Sequence, residues 1–164
     1  MNYNTSYIRP NFLKGMIWLI IMIPVLVFAQ SEKQVLPDII SEPYILEGNS
    51  YIVQHNVKVT KGGLLVIQPG SELLFSPKTT VLIEGGLIIE GTWDKPILIS
   101  SVNKANEGFG FEISTIDKSN IKITNSQFTN LILPLIFSPK WFREKVEIRN
   151  NSFLENRSGE SGII

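Results

Sequence analysis

The sequence predicts an all-β solenoid, a stack of coils of about 24 residues each. Hydrophobic residues recur at that spacing in two columns. The first column holds Tyr51, Phe75, Ile99, Ile123 and Ile148, and the second holds the pairs Leu64/Val66, Leu87/Ile89, Phe111/Ile113 and Leu135/Phe137. Because a repeat of this size cannot bury its apolar face alone, the period predicts that each coil stacks on the next.

Short β-branched runs separated by Gly and Pro predict strands and turns, with no helix after the leader. Three strands per coil account for most runs, and Val57/Val59 and Val81/Ile83 belong to the middle one. The stretch at 102–110, VNKANEGFG, is predicted to be a turn or an outward loop. The run at 64–67 is apolar throughout, and the column spacing favours Leu64 and Val66 on the inside.

The leader, residues 1–29, has the order of a secretory signal peptide. A polar start with Arg9 and Lys14 precedes the uncharged apolar run at 16–28, and Val27 and Ala29 occupy the small-residue positions before a cleavage site. The run is shorter than the roughly 20 residues of a membrane-spanning helix. The prediction is cleavage before Gln30 and export to the cell surface or medium. The alternative is a membrane anchor through residues 12–29, and only then is a membrane a partner.

Domain organisation follows from these segments. Residues 30–49, with Pro37 and Pro43, are predicted to be a linker or lead-in, and residues 50–164 the solenoid. The final residues, RSGESGII, resemble a turn that enters a further coil, so we expect either that the chain is part of a longer product or that its end pairs with another element.

Composition excludes several classes of function. The formal net charge is zero, and without the leader it is −2, from 13 basic and 15 acidic residues. This balance, with no basic stripe, argues against nucleic acid as a partner. The absence of cysteine excludes disulfides, zinc–thiolate sites and thiol catalysis. No cofactor or metal ion is predicted.

Two segments one coil apart repeat in detail: IKITNSQFTN from Ile121 and VEIRNNSFLEN from Val146. Alignment of Ile123 with Ile148 superimposes Asn125 on Asn150. Each asparagine follows an inward strand position at a bend, where stacked amides can bond to each other and to turn backbone. The sequence therefore predicts a structural amide ladder at Asn125 and Asn150.

The stretch at 62–101, GGLLVIQPGSELLFSPKTTVLIEGGLIIEGTWDKPILISS, and the two I-x-I-x-N-x-x-F units resemble right-handed parallel β-helix proteins of the pectin-lyase-like class. The resemblance covers residues 50–164 and implies that fold. It implies no single activity, since the class includes lyases, hydrolases, adhesins and stalks.

Catalytic groups are not clustered in the sequence. Glu90, Asp94 and Lys95 lie close together, with Glu112 about one coil later, but alternation along strands predicts solvated outward positions. His55 is the only histidine and is predicted to be an ordinary turn residue.

Aromatic residues supply the other candidates. Trp93 and the group Trp141, Phe142 and Arg143, if exposed, can stack on sugar rings or on a partner protein. The alternative is that Trp141 covers an edge of the solenoid. The leading functional prediction is a non-catalytic extracellular scaffold or interaction module, with a polysaccharide or a cell-surface protein as partner. The alternative is the N-terminal part of a polysaccharide lyase or glycoside hydrolase whose active face lies in further coils.

Overall fold

Short strands build the fold, as the short apolar runs predict. The computed structural model describes residues 33–104, 107–114, 120–138 and 146–157, and within them it has sixteen strands and no helix. The strands are β1 Gln34–Val35, β2 Ile39–Ile40, β3 Pro43–Leu46, β4 Ser50–Val53, β5 Val57–Val59, β6 Leu64–Ile67, β7 Glu72–Phe75, β8 Val81–Ile83, β9 Gly86–Glu90, β10 Ile97–Ser101, β11 Gly108–Ile113, β12 Ile121–Thr124, β13 Ser126–Thr129, β14 Leu131–Phe137, β15 Val146–Arg149 and β16 Ser152–Leu154.

The strands form three parallel sheets. The first sheet has the order β1-β4-β7-β10-β13-β16, the second β2-β5-β8-β11-β14 and the third β3-β6-β9-β12-β15. Every third strand along the chain is therefore a neighbour, so three successive strands make one coil. The prediction of an all-β fold of stacked parallel coils is confirmed, and all described residues belong to one unit.

Inward side chains line up in rows along each sheet and form the core. Most of the row members in the middle coils are fully buried, with large side chains such as Phe75, Phe111 and Phe128 among them. One five-residue row from each sheet is Tyr51-Leu73-Ile99-Phe128-Phe153 in the first, Ile40-Val59-Ile83-Ile113-Phe137 in the second and Leu46-Ile67-Ile89-Ile123-Ile148 in the third. Burial of these rows supplies the main stabilisation of the stack.

The first predicted column is wrong as a single row. Phe75 pairs with Val53 and Ser101, whereas Ile99 pairs with Leu73 and Phe128. Ile123 and Ile148 stack on each other, but in the third sheet. The predicted column combined residues of two sheets because it assumed a constant spacing, whereas the coils differ in length.

The inside positions predicted for β6 are also wrong. Leu65 and Ile67 are buried, while Leu64 and Val66 face outward and are half-buried. Leu65 pairs with Leu87 and Ile67 with Ile89. A one-residue shift reverses every side chain of a strand, and a run that is apolar at all four positions gives no pattern with which to choose.

Coil length varies while strand pairing stays continuous. Gln34 pairs with Tyr51, which closes a short coil, whereas Leu87 pairs with Ile121, about twice as far along the chain. The turns absorb these differences, since the strands stay short over the whole stack. The pairing of β1, β2 and β3 with the next coil places the start of the stack inside the segment 30–49 that was predicted to be a lead-in.

Glycine is required where two backbones meet closely, at the corner before β9 and within β11. A Cβ on Gly85 would overlap the carbonyl oxygens of Thr60 and Gly63 in the preceding coil. A Cβ on Gly110 would overlap the backbone of Pro134, at the irregular register between β11 and β14. These glycines let the coils keep the spacing that the parallel ladders need.

The leader prediction, residues 1–29, lies outside the described residues. Within 33–104, 107–114, 120–138 and 146–157, no helix is long and apolar enough to cross a membrane.

Candidate binding turn

The most exposed large apolar side chain of the described residues is an indole. Trp93 has 96% of its surface exposed, whereas the other exposed large hydrophobic side chains reach only 37–66%. It lies in the turn at 91–96, between β9 of the third sheet and β10 of the first. We call residues 91–96 the Trp93 turn. The ring therefore stands clear of the coil that carries it.

Hydrogen bonds within the Trp93 turn fix its shape. The backbone N–H of Thr92 donates to the carbonyl of Lys95 at 3.1 Å. The backbone N–H of Lys95 donates in return to Oγ1 of Thr92 at 3.2 Å. A threonine hydroxyl that bonds to backbone nearby is a common way to stabilise a turn. The two bonds hold the chain on both sides of Trp93.

The base of the Trp93 turn is tied to both neighbouring coils. On one side the N–H of Gly70 donates to the carbonyl of Lys95 at 3.2 Å. On the other, the N–H of Gly91 donates to the carbonyl of Thr124 at 3.0 Å, and Nδ2 of Asn125 donates to the carbonyl of Gly91 at 2.9 Å. A Cβ at Gly91 would overlap the carbonyl oxygen of Asn125, so this close approach requires glycine.

Charged groups around Trp93 come in opposite pairs. Within the Trp93 turn, Asp94 carries one negative charge and Lys95 one positive charge, and both side chains are exposed. At the end of β9, immediately before the turn, Glu90 forms an ion pair with Lys122 of the next coil. The formal charge of these four groups sums to zero.

The carboxyl group of Asp94 is held in its ionised form. A side-chain hydrogen bond with Thr92 lowers the pKa of Asp94 most, followed by a hydrogen bond to its own backbone, while Lys95 adds a smaller electrostatic contribution. Asp94 is therefore an acceptor throughout the neutral range.

The structure separates the other predicted acids. Glu112 lies on β11 in the second sheet, so it does not follow Glu90, which lies on β9 in the third sheet. The residue that stacks on Glu90 in the next coil is Thr124. In the part of the chain that the structure describes, no group of three or more His, Asp or Glu side chains could hold a metal ion.

His55 lies in the turn between β4 and β5, as predicted. Its Nδ1 atom is 3.8 Å from Oδ1 of Asp38, a residue of the previous coil. Both side chains are more than 70% exposed. A pair with this exposure contributes little to stability.

Asn125 and Asn150 occupy equivalent bends, as the internal repeat predicts. Both have the left-handed backbone, with φ of 50° and 56°. Their coils are in register, since Thr124 pairs with Arg149. The amide of Asn125 bonds to Gly91, and Asn150 is exposed. A ladder of these two amides stays a prediction.

Two further asparagines that the sequence pattern did not single out also bridge neighbouring coils: Asn151, which follows the bend at Asn150, and Asn156, which follows the left-handed residue Glu155. Oδ1 of Asn151 accepts from the N–H of Ser126 at 2.9 Å, and its Nδ2 donates to the carbonyl of Ile123 at 2.8 Å. Asn156 makes the same pair of bonds, with the N–H of Leu131 at 3.0 Å and the carbonyl of Phe128 at 2.9 Å. The sequence features that could have indicated these bonds are the second asparagine of the pair at 150–151 and the further asparagine at 156.

The predicted contact group of Trp141, Phe142 and Arg143 lies outside the described residues. Of the four predicted contact residues Trp93, Trp141, Phe142 and Arg143, Trp93 is the one whose surroundings the structure describes. It joins three features: an exposed ring, a hydrogen-bonded turn and exposed polar neighbours. Such a turn can bind a partner.

No protein-family model, curated protein or solved structure matches this chain.

Proposed function

We propose that the protein is a non-catalytic extracellular β-helix scaffold that binds carbohydrate or protein. The observation that carries this proposal is the fully exposed indole of Trp93 on a turn that is hydrogen-bonded to both neighbouring coils. An apolar ring of this size in water has no folding benefit. Tryptophan, together with tyrosine and arginine, is enriched where proteins make strong contacts with partners.

The finer fold within this proposal is a right-handed β-helix of the pectin-lyase-like class. Three sheets that receive successive strands in a fixed rotation support the β-helix. Crossovers between parallel strands of one sheet are right-handed in about 98% of cases, which supports the hand. The resemblance of the glycine-separated coils to that class supports the family.

Export completes the proposal. The apolar run at 16–28 and the small residues Val27 and Ala29 support a cleaved signal peptide and a location outside the cell. A rigid stack that presents a binding turn suits a cell-surface or secreted protein.

The test uses the full chain, expressed with its leader in a bacterial host that exports proteins. We expect the product in the exported fraction, with an N-terminus at Gln30 by mass spectrometry. A product that retains Met1 in the membrane fraction would contradict cleavage and favour the anchor.

Catalysis is tested on the same purified product. We expect no cleavage of polygalacturonate, xylan or β-glucan, with or without calcium, measured by the release of reducing ends and unsaturated sugars. Cleavage of any of these polymers above a heat-inactivated control would overturn the non-catalytic proposal and favour a lyase or hydrolase.

A further inference from the structure

We infer that Trp93 is the stacking platform of a binding site for neutral polysaccharide. The inference rests on the proposed function, and it deepens it by naming the class of ligand. It depends on the exposure of the ring, the rigidity of the turn and the polar groups beside it.

The indole ring of Trp93 offers a flat apolar surface that the rest of the protein leaves almost uncovered. With 96% of the side chain exposed, both indole faces are open to solvent. A sugar ring presents a face of C–H groups and an edge of hydroxyl groups. The C–H face matches the electron-rich face of an indole, and the contact removes apolar surface of both partners from water.

The turn reduces the entropy that binding must overcome. Bonds on both sides of Trp93 join Thr92 to Lys95, and the base is bonded to Gly70, Thr124 and Asn125 of adjacent coils. A ring on a fixed backbone loses mainly its side-chain rotamer freedom when it binds. Preorganisation of this kind raises affinity without new contacts.

The neighbours of the ring suit hydroxyl groups. Asp94 offers a carboxylate that accepts hydrogen bonds, Lys95 offers an ammonium donor, and both are exposed beside Trp93. A tryptophan at the centre of a protein interface is surrounded by contacts that exclude water, in a patch of about 800 Å² on each partner. A turn tip whose exposed neighbours Thr92, Asp94 and Lys95 are polar favours a sugar chain over a protein surface.

The charge balance selects neutral polymers. Asp94 and Lys95 have opposite charges, and Glu90 is paired with Lys122. The charges of these four groups sum to zero, so together they exert no net attraction on a polyanion such as polygalacturonate. Binding to a neutral polymer is then nearly independent of salt concentration, since screening acts on charges.

The experiment is affinity electrophoresis of the full chain in native gels that contain β-glucan, xylan, mannan or polygalacturonate. We expect at least one neutral polymer to retard the wild-type protein, with equal retardation at low and high salt. Trp93→Ala should weaken this binding by about tenfold or more, the range of an interface hot spot. Trp93→Phe, which keeps an aromatic face, should retain most of it.

Lys61→Ala is the matched control, because Lys61 is an exposed residue of a different turn. It should bind as the wild type does. Circular dichroism and thermal melts of all variants establish that they are folded. Trp93→Ala should melt with the wild type because its side chain contacts almost nothing, which keeps the test independent of folding.

In these gels, three results would overturn the inference: no retardation of the wild type by any neutral polymer, equal binding of Trp93→Ala and wild type, or retardation by polygalacturonate alone. A protein ligand is tested with bacterial cell-envelope material. The envelope material is treated before it is mixed with the protein. Binding that survives protease treatment of this material and is lost after its periodate oxidation supports a polysaccharide ligand. Binding that is lost after protease treatment overturns the inference. Cleavage of a retarding polymer contradicts the proposed non-catalytic function and leaves the stacking role of Trp93 intact, so the two failures are distinguishable.

Discussion

Asn151 satisfies the backbone of Ser126 one coil earlier, where the chain bends at Asn125. Its carboxamide accepts from the N–H of Ser126 at 2.9 Å and donates to the carbonyl of Ile123 at 2.8 Å. One side chain thus replaces the backbone partners that the bend removes from the parallel ladder. Polar groups this close to the core are costly when they are left without a partner.

Asn151→Ala should therefore lower the free energy of unfolding by about 1–3 kcal/mol, because it leaves a donor and an acceptor without partners. Asn49→Ala is the control, since Asn49 is exposed, and it should cost less than about 0.5 kcal/mol. Urea unfolding followed by circular dichroism measures both. Equal midpoints for the two variants would show that water replaces the Asn151 bonds at no cost.

The predicted ladder of Asn125 and Asn150 makes a separate prediction about coupling. Residues that share a hydrogen-bond network give non-additive effects, typically of about 0.5–3 kcal/mol. We expect the double variant Asn125→Ala/Asn150→Ala to lose less stability than the sum of the single variants. Additive losses of stability would contradict the ladder and would mean that Asn125 acts only through its hydrogen bond to Gly91.

Substitution of Gly85 by alanine should destabilise the stack more than substitution of Gly62. A Cβ on Gly85 meets the carbonyls of Thr60 and Gly63, and backbone there cannot move without shifting a coil. At Gly62 the nearest atom is the carbonyl oxygen of Ser41, 3.4 Å away. We expect a loss of about 2 kcal/mol or more for Gly85→Ala, as for overpacked sites. Thermal melts of the two variants compare them, and a larger effect at Gly62 would contradict the corner packing.

The pKa of Asp94 should rise towards the ordinary aspartate value in Thr92→Val, because the side-chain hydrogen bond with Thr92 is the main cause of its lowering. Lys95→Met should raise it less. Carboxyl-carbon NMR titration measures both. Since the folded pKa is lowered, this carboxylate favours folding above the unfolded pKa, and the contribution is lost as pH falls through the folded value. An unchanged pKa of Asp94 in Thr92→Val would show that the hydrogen bond with Thr92 is not the cause of the lowering.

The fold class could be predicted from the sequence because short apolar runs recur throughout, and coils of three strands with such runs must stack to bury them. It does not contain the register. The average period places Ile99 on Phe75, yet Ile99 stacks on Leu73, since the coil that joins β7 to β10 is slightly longer than that period. In β6, Leu64 and Leu65 are chemically alike, so only the pairing with β9 decides which of them is buried.

The binding turn could be found only in part. An indole in the sequence T-W-D-K-P at 92–96 is equally compatible with packing against a coil or with exposure. Which of these occurs depends on the bonds between the turn and Gly70, Thr124 and Asn125, which come from two other coils. Long-range contacts of this kind leave no local pattern.

The direction of the ladders has a mechanical consequence. Strands lie across the stack, so the hydrogen bonds between coils point along its axis. The boundaries between coils are in series along the axis, so each boundary carries the whole of a force applied in that direction. We expect such a pull to detach coils singly from an end and to release chain in unequal steps, because successive coils differ in length. A pull across the axis would instead act on several ladders at once and meet a higher resistance.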